Sequence, residues 1–544
     1  MMKIKAHSRF VSFVALIIAT VSVAWFYPRL SRYELLITNA RIVDGTGNPW
    51  FTGDVAVRNG RIVKIGSISP GNAARIIDAG GRVLAPGFID VHTHVEDIRR
   101  SPLAQNFVRM GVTTVVTGNC GSSAINVSEF YKETERSQPA INIATLIGHN
   151  SVRSVVMRSD NREPTAAELQ MMEAIVEQGM KDGALGLSTG LIYVPGTYAK
   201  TDEIVSLARV AAQHGGIYAT HMRDEGVRLI EGIQEAIRVG DDASIPVEIS
   251  HFKVTSRKLW QQSSRAVELV KAARARGLSV TVDQYAYTAS STSLDVILPE
   301  WVREGGRQAA LRRLADPVAG ACAVGEMKRN LADSGFDDYS YAVVANYRRD
   351  TSLNGKSIVG ITKEVKGKSD LDDQINQILE MYEEGGASMV YHKMSEDDVR
   401  EIMRQPFTSI ASDSGVRRHE EDVPHPRGYG NNARVLGLYV RDLGLITLED
   451  AVRKMTSLPA QVFRLRDRGL IREGMVADLV IFDENLVADR ATFEQPHQYP
   501  VGISHVVING QVVWADGAMS SERPGVMIRR DGPRWWSYLP WPGW

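Results

Sequence analysis

Between residues 85 and 413 the chain repeats one pattern: a short run that is apolar throughout, then a longer stretch with a single apolar face. The apolar runs fall at 85–94, 112–120, 141–148, 183–188, 216–221, 246–251, 279–285 and 407–413, each the length of a buried strand. Segments 166–181, 203–214, 226–239 and 263–276 carry apolar residues at helical spacing. Strands alternating with amphipathic helices predict a parallel sheet covered by helices. Eight such units predict an α/β fold, a TIM-like (β/α)8 barrel whose reaction site lies at the C-terminal strand ends.

The two ends of the chain have a different texture. Short strands at 33–37, 54–58, 61–65 and 82–84 precede the barrel, with Asn59-Gly60 as a hairpin turn. Segments 477–482 and 503–513 follow it, with Asn509-Gly510 as a second hairpin turn. These ends predict one small β-sandwich domain assembled from residues 33–84 and 468–532, flanking a barrel of residues 85–467. Residues 292–345 are less regular and read as an insertion overhanging the rim, placed to act as a lid.

Lys3, Lys5 and Arg9 precede an uncharged run over 10–27, followed by Pro28, Arg29 and Arg32. As a helix that run is roughly 27 Å long, about one hydrocarbon core. Residues 1–32 therefore read as an N-terminal hydrophobic helix anchoring the chain in a membrane, or as a signal peptide cleaved near Ser22-Val23-Ala24. Either reading puts the body at the cell envelope, facing the periplasm or exterior. Trp535, Trp536, Tyr538, Trp541 and Trp544 crowd residues 533–544, a tail suited to a membrane interface or to packing on the protein.

Of 544 residues, 44% are hydrophobic and 23% charged, ample for a large core, and the net charge of -1 gives no reason to expect nucleic acid. Two cysteines, Cys120 and Cys322, exclude a disulfide framework.

Chemistry gathers where the strands end. His92 and His94 close the first apolar run one residue apart, on one side of the strand. Cys120, His221, His251 and Asp413 each close a run of their own. Six ligand-type residues on one rim predict a metal-dependent hydrolase. Zinc lowers the pKa of a bound water to about 7 and polarises a carbonyl. Asp413 is suited to take a proton from the water and return it to a leaving nitrogen, as catalytic base and acid. His149 also ends an apolar run, and Tyr193 follows Ser188-Thr189-Gly190 closely enough to cover a substrate.

Seven segments resemble the amidohydrolase superfamily and, within it, the N-acyl-D-amino-acid deacylases (D-aminoacylases). They are residues 86–94 (PGFIDVHTH), 118–121 (GNCG), 186–191 (GLSTGL), 220–223 (THMR), 250–253 (SHFK), 412–413 (SD) and 425–430 (HPRGYG). The Asn-Cys-Gly segment discriminates. Most dinuclear relatives bridge their metals with a carboxylated lysine on the fourth strand, and here that strand ends in Leu187-Ser188-Thr189. The resemblance implies one or two zinc ions. His92 and His94 would hold one, and Cys120, His221 and His251 the other, with Cys120 shared and Asp413 beside the catalytic water. It implies further that Lys253, Tyr285, Ser291 and Arg427 bind the substrate carboxylate. The segment from Asp413 to Arg427 is longer here than in the family, and Val95 separates the His-x-His from Glu96-Asp97.

The implied partner is a small molecule, an N-acyl-D-amino acid or a dipeptide with a C-terminal D-residue. Two rivals are a cyclic-amide hydrolase of the hydantoinase or dihydroorotase kind and a non-catalytic, membrane-tethered binding protein. The missing lysine argues against the first and the six intact ligands against the second.

Overall fold

The computed structural model describes residues 33–418 and 422–530. The predicted anchor and the aromatic tail lie outside the described residues. Among the described residues no helix is long and apolar enough to cross a membrane.

The chain opens with β1 (Tyr33–Ile42), β2 (Phe51–Arg58), β3 (Arg61–Gly66), β4 (Ala73–Asp78) and β5 (Val83–Pro86). The barrel strands are β6 (Phe88–Asp90), β7 (Val112–Thr117), β8 (Asn142–Thr145) with its continuation β9 (Ile147–Gly148), β10 (Gly186–Gly190), β11 (Ile217–His221), β12 (Val247–Ile249) and β13 (Val280–Gln284). An excursion carries β14 (Ser290–Ser293), β15 (Ala342–Asn346) and β16 (Ser388–Tyr391), after which β17 (Thr408–Ile410) completes the barrel. The chain returns to its first domain with β18 (Leu479–Phe482), β19 (Ile503–Ile508), β20 (Gln511–Ala515) and β21 (Ala518–Met519).

Strands β6-β7-β8 and β17-β13-β12-β11-β10-β9 are parallel ladders. Backbone bonds close the ring between first and last strands: Asp413 N–H donates to the His92 carbonyl at 2.9 Å, and His94 N–H to the Ser414 carbonyl at 3.0 Å. That seam brings the two ends of the apolar pattern, His92-Thr93-His94 and Ser412-Asp413-Ser414, side by side. Alternating helices such as Ala166–Lys181 and Ser263–Ala275 bury their apolar faces on the strands. Thr165 caps the first of these in a capping box with Glu168, which fixes where it begins.

Three expectations need correction. The terminal domain is one curled nine-stranded sheet, order β21-β20-β19-β18-β5-β1-β2-β3 with β4 on β1, and not a two-sheet sandwich. The reason is β5, which pairs parallel with β1 and antiparallel with β18 and so joins the strands from both chain ends. Curling closes the sheet around Leu35, Ile37, Val55, Leu479 and Val507. Next, residues from Pro524 do not stay with that domain. Ile143 N–H donates to the Val526 carbonyl and Ile528 N–H to the Ile143 carbonyl, so this segment lies along β8 of the barrel. Finally, the rim insertion does not stop at 345. It runs from β14 to β16, because β16 pairs with both β14 and β15. The helices Ile358–Lys366 and Leu371–Glu383 share its separate core with Met327, Tyr339 and Met389. Their period matches that of barrel helices, so hydrophobic spacing alone does not separate the two.

Candidate active site

At the C-terminal rim the six ligand-type residues converge. Cys120 Sγ lies 3.3 Å from His92 Nε2, 3.7 Å from His221 Nδ1 and 3.7 Å from His251 Nε2. Asp413 Oδ1 lies 3.2 Å from His94 Nε2 and 3.5 Å from His92 Nε2. Three overlapping triads result: His92-His94-Cys120, Cys120-His221-His251 and His92-His251-Asp413, with donor atoms in each within 4.8 Å of one another.

Local backbone geometry aims these groups. Cys120, His251 and Asp413 have φ of 52°, 36° and 50°, a left-handed conformation that side-chain-bearing residues adopt at a cost of roughly 1–3 kcal/mol. The Asn119-Cys120 turn is held from several sides. Glu96 accepts from the Thr117 hydroxyl at 2.6 Å and from Gly118 N–H at 2.9 Å. Ser188 accepts from Gly121 N–H at 3.1 Å and donates to the Gly118 carbonyl. A Cβ at Gly121 would sit 2.1 Å from Asn150 Oδ1, so only glycine fits there. The acidic residue displaced by Val95 thus orients the cysteine turn rather than a metal.

Two carboxylates missing from the sequence reading lie behind the ligands. Asp283, on β13, has Oδ2 3.3 Å from His92 Nδ1 and accepts from His251 N–H at 2.8 Å. Glu225 lies 2.8 Å from His251 Nδ1 and 2.7 Å from Lys253 Nζ. Carboxylates of this kind fix the tautomer and orientation of ligating imidazoles. Glu225 follows His221 by four residues, a spacing readable in the sequence. Asp283 shares the end of the seventh apolar run with Tyr285.

The electrostatics suit a cation. Burial opposes charge on His92, yet Asp283, Cys120 and Asp413 around it raise its pKa to about 10. Burial holds His221 and His251 well below the ordinary imidazole range, as neutral lone-pair donors. Burial pushes the Asp413 carboxyl up, but the Arg427 guanidinium and His92 outweigh it and hold it well below the usual carboxylate range. The donor set fits zinc in distance as well. Tetrahedral zinc, with bonds of about 2.3 Å to sulfur and about 2.1 Å to nitrogen, separates the two atoms by about 3.6 Å. The sulfur–nitrogen distances here are 3.3, 3.7 and 3.7 Å.

A cavity of about 1320 Å³ opens from these residues to the underside of the insertion. Tyr193 forms part of its wall, with its ring centroid 5.0 Å from that of His221 and its hydroxyl 3.0 Å from Thr292 Oγ1 on β14. Arg427 Nη2 pairs with Asp413 Oδ2 at 2.9 Å and reaches the Ser291 carbonyl at 3.5 Å. Tyr285 lies beneath Arg427, its ring centroid 4.5 Å from the guanidinium, while its hydroxyl points to Met394. Lys253 lines the cavity, but Glu225 Oε1, His251 Nδ1 and the His251 carbonyl all lie within 2.9 Å of its Nζ. His149 is drawn away from the cavity: its Nε2 lies 2.8 Å from Glu203, which also pairs with Arg153. Cys120 and Cys322 are both free thiols.

Residues 75–290 and 363–514 match the sequence profile described as Amidohydrolase family, and the intervening gap falls inside the insertion. A D-aminoacylase of Alcaligenes xylosoxydans xylosoxydans is 35% identical over 523 residues, 92% of this chain and 98% of that protein. A D-aminoacylase crystal structure superposes with a TM-score of 0.79 at 34% identity, covering 92% of this chain and all of that one. An N-acyl-D-glutamate deacylase of Bordetella bronchiseptica, complexed with zinc and a phosphonate mimic of the tetrahedral intermediate, gives 0.78 at 31% identity, covering 91% and 99%. A D-hydantoinase structure, at 14% identity and a TM-score of 0.54, shares the fold alone.

Proposed function

The chain belongs to the amidohydrolase family, and on that premise we propose that it hydrolyses the amide bond of N-acyl-D-amino acids, dipeptides with a C-terminal D-residue included. The observation that carries this reading is a cysteine sulfur within reach of three imidazoles on a barrel whose fourth strand, β10, has no lysine. The near full-length likeness to D-aminoacylase and to N-acyl-D-glutamate deacylase supports the same chemistry.

His92, His94, Cys120, His221 and His251 would hold zinc in one or two sites, where it would supply Lewis acidity toward the amide carbonyl and acidify a water. Asp413 is the proton carrier. Its Oδ1 faces the histidine donors and its Oδ2 is fixed by Arg427, so one oxygen stays free for the reaction. Asp413 takes the proton lost by water as oxygen adds to the carbonyl carbon. It returns that proton to the nitrogen as the C–N bond breaks, leaving a carboxylate and a D-amino acid. Arg427 spans Asp413 and the cavity, which suits a substrate whose scissile nitrogen and α-carboxylate share one carbon. Tyr285 supports that guanidinium from below, Ser291 and Tyr193 line the cavity, and Lys253 with Glu225 sets the His251 ring. Carbonyl, nitrogen and carboxylate held at three fixed points leave the side chain of one enantiomer room to enter.

The basic-then-apolar pattern of residues 3–32 supports a place at the cell envelope, where wall-derived D-residues favour the dipeptide variant. The full chain, loaded with zinc, is to be screened against paired D and L sets of N-acetyl amino acids and dipeptides. Turnover confined to the D sets is expected. Turnover of L substrates alone, or of cyclic amides alone, contradicts the reading.

A further inference from the structure

The cavity holds about 1320 Å³, against about 300–1,000 Å³ for an ordinary small-molecule pocket. An N-acetylated amino acid leaves much of that space unfilled. Loops that follow consecutive barrel strands are neighbours on the rim. The segments after β7, β9, β10 and β11 bring Ile125, Val155, Val194 and Val227 to the cavity wall in that order. Val155 is 61% exposed and Val227 49%, although both are apolar. Val296 and Ile297 join the same wall from the insertion, whose core they pack against. Several polar groups along this arc are already engaged. Ser123 Oγ donates to the Ala124 carbonyl at 3.1 Å and accepts from Gly148 N–H at 2.8 Å. Thr197 Oγ1 donates to Glu300 at 2.9 Å, and Arg223 pairs with Glu235 at 2.9 Å. A wall of open methyl groups with its polar neighbours occupied gains chiefly by burying hydrocarbon.

The amide itself fixes which part of a substrate comes here. A trans amide holds its acyl carbon and its α-carbon at opposite ends of the C–N bond. Asp413 and Arg427 both stand on the segment after β17, so a scissile nitrogen at Asp413 sends the acyl group across the barrel, toward the loops after β7 to β11. We propose that the arc of Ile125, Val155, Val194 and Val227, with Val296 and Ile297 opposite, binds the acyl chain, and that the enzyme prefers N-acyl-D-amino acids carrying a medium-length saturated chain, such as octanoyl, over N-acetyl ones. This deepens the proposed function and rests on it. Val155 and Val227 are specificity-determining residues at the open end of the chain site.

The test measures kcat/KM of the zinc-loaded full chain on the N-acetyl, N-butyryl, N-hexanoyl and N-octanoyl derivatives of D-methionine. Each added methylene is expected to raise kcat/KM by about 2–4-fold, chiefly through KM, as burial of part or all of that group predicts. Val155→Ser and Val227→Ser should each lower the octanoyl-to-acetyl ratio, and the double variant should lower it further. A ratio near one in wild type, or a ratio that the variants leave unchanged, overturns the proposal. A shift in oligomeric state with Val155→Ser, seen by sedimentation velocity while the ratio is unchanged, would give the arc to a second copy of the chain instead. Calorimetric titration with octanoate and acetate separates the proposal from the functional reading. If no N-acyl-D-amino acid is turned over, yet octanoate binds more tightly than acetate and the valine variants erase the difference, the function fails and the chain site stands. If octanoate binds no more tightly than acetate, the chain site fails whatever the substrate.

Discussion

The two poles of the active site are built on opposite electrostatic plans. At one pole Cys120, Asp283, Glu225 and Asp413 gather around the three buried imidazoles of His92, His221 and His251. At the other, Arg427 pairs with Asp413 Oδ2, and Arg417, four residues past Asp413, donates from Nε to Ser414 Oγ. A pole lined with soft and nitrogen donors suits a metal cation, and a guanidinium at the other suits the carboxylate of the proposed substrate. Asp413 faces both, the position that the proposed mechanism asks of a side chain carrying a proton from water to the leaving nitrogen.

The sharpest way to break the contrast is to remove the sulfur shared by two triads. Cys120→Ala should lose bound zinc, measured by atomic absorption, together with most turnover. Full zinc content in that variant would remove the basis of the acidic pole. Asp413→Asn keeps its size and its contact with Arg427 but lacks the basic oxygen. In a folded, zinc-loaded protein its kcat should fall by about 10²-fold or more, and a near-normal kcat would assign the proton to another group. Asp283→Asn acts from behind His92 and His251 and should weaken zinc affinity by about 10–100-fold. Competition with a fluorescent chelator measures this, and an unchanged affinity would make Asp283 a packing residue. The smallest effect is at Ser188→Ala, which strips the Cys120 turn of two buried hydrogen bonds. Stability should drop by about 1–3 kcal/mol in denaturant unfolding, with zinc still bound; an unchanged midpoint would mean that Glu96 holds the turn without Ser188.

The acidic pole was largely legible in the sequence because its ligands sit at the ends of apolar strands, where period and fold rule together fix their place. Its supporting carboxylates were less so. Glu225 lies in a polar loop after β11 and Asp283 inside an apolar strand, and only the pairing of β12 with β11 on one edge and β13 on the other brings both against His251. The left-handed backbone at Cys120, His251 and Asp413 has no residue signature of its own. The cationic pole was half legible. Arg427 stands in a recognisable motif, whereas the place of Arg417 beside Ser414 and Gly428 is set by the fold of the segment after Asp413, which only three dimensions reveal. The sheet of the terminal domain was misjudged for a comparable reason: β5 bonds on both edges, a fact of pairing and not of alternation.

The central claim, metal-dependent hydrolysis that is selective for D-residues, is tested most directly by stripping the full chain with a chelator and adding zinc back in steps. Release of methionine from N-acetyl-D-methionine and from its L enantiomer is followed at each step. Turnover of the D substrate should be absent in the stripped protein and rise to a plateau at one or two zinc ions per chain, with the L substrate remaining near background. Turnover that persists without metal, or that treats the two enantiomers alike, would contradict the account.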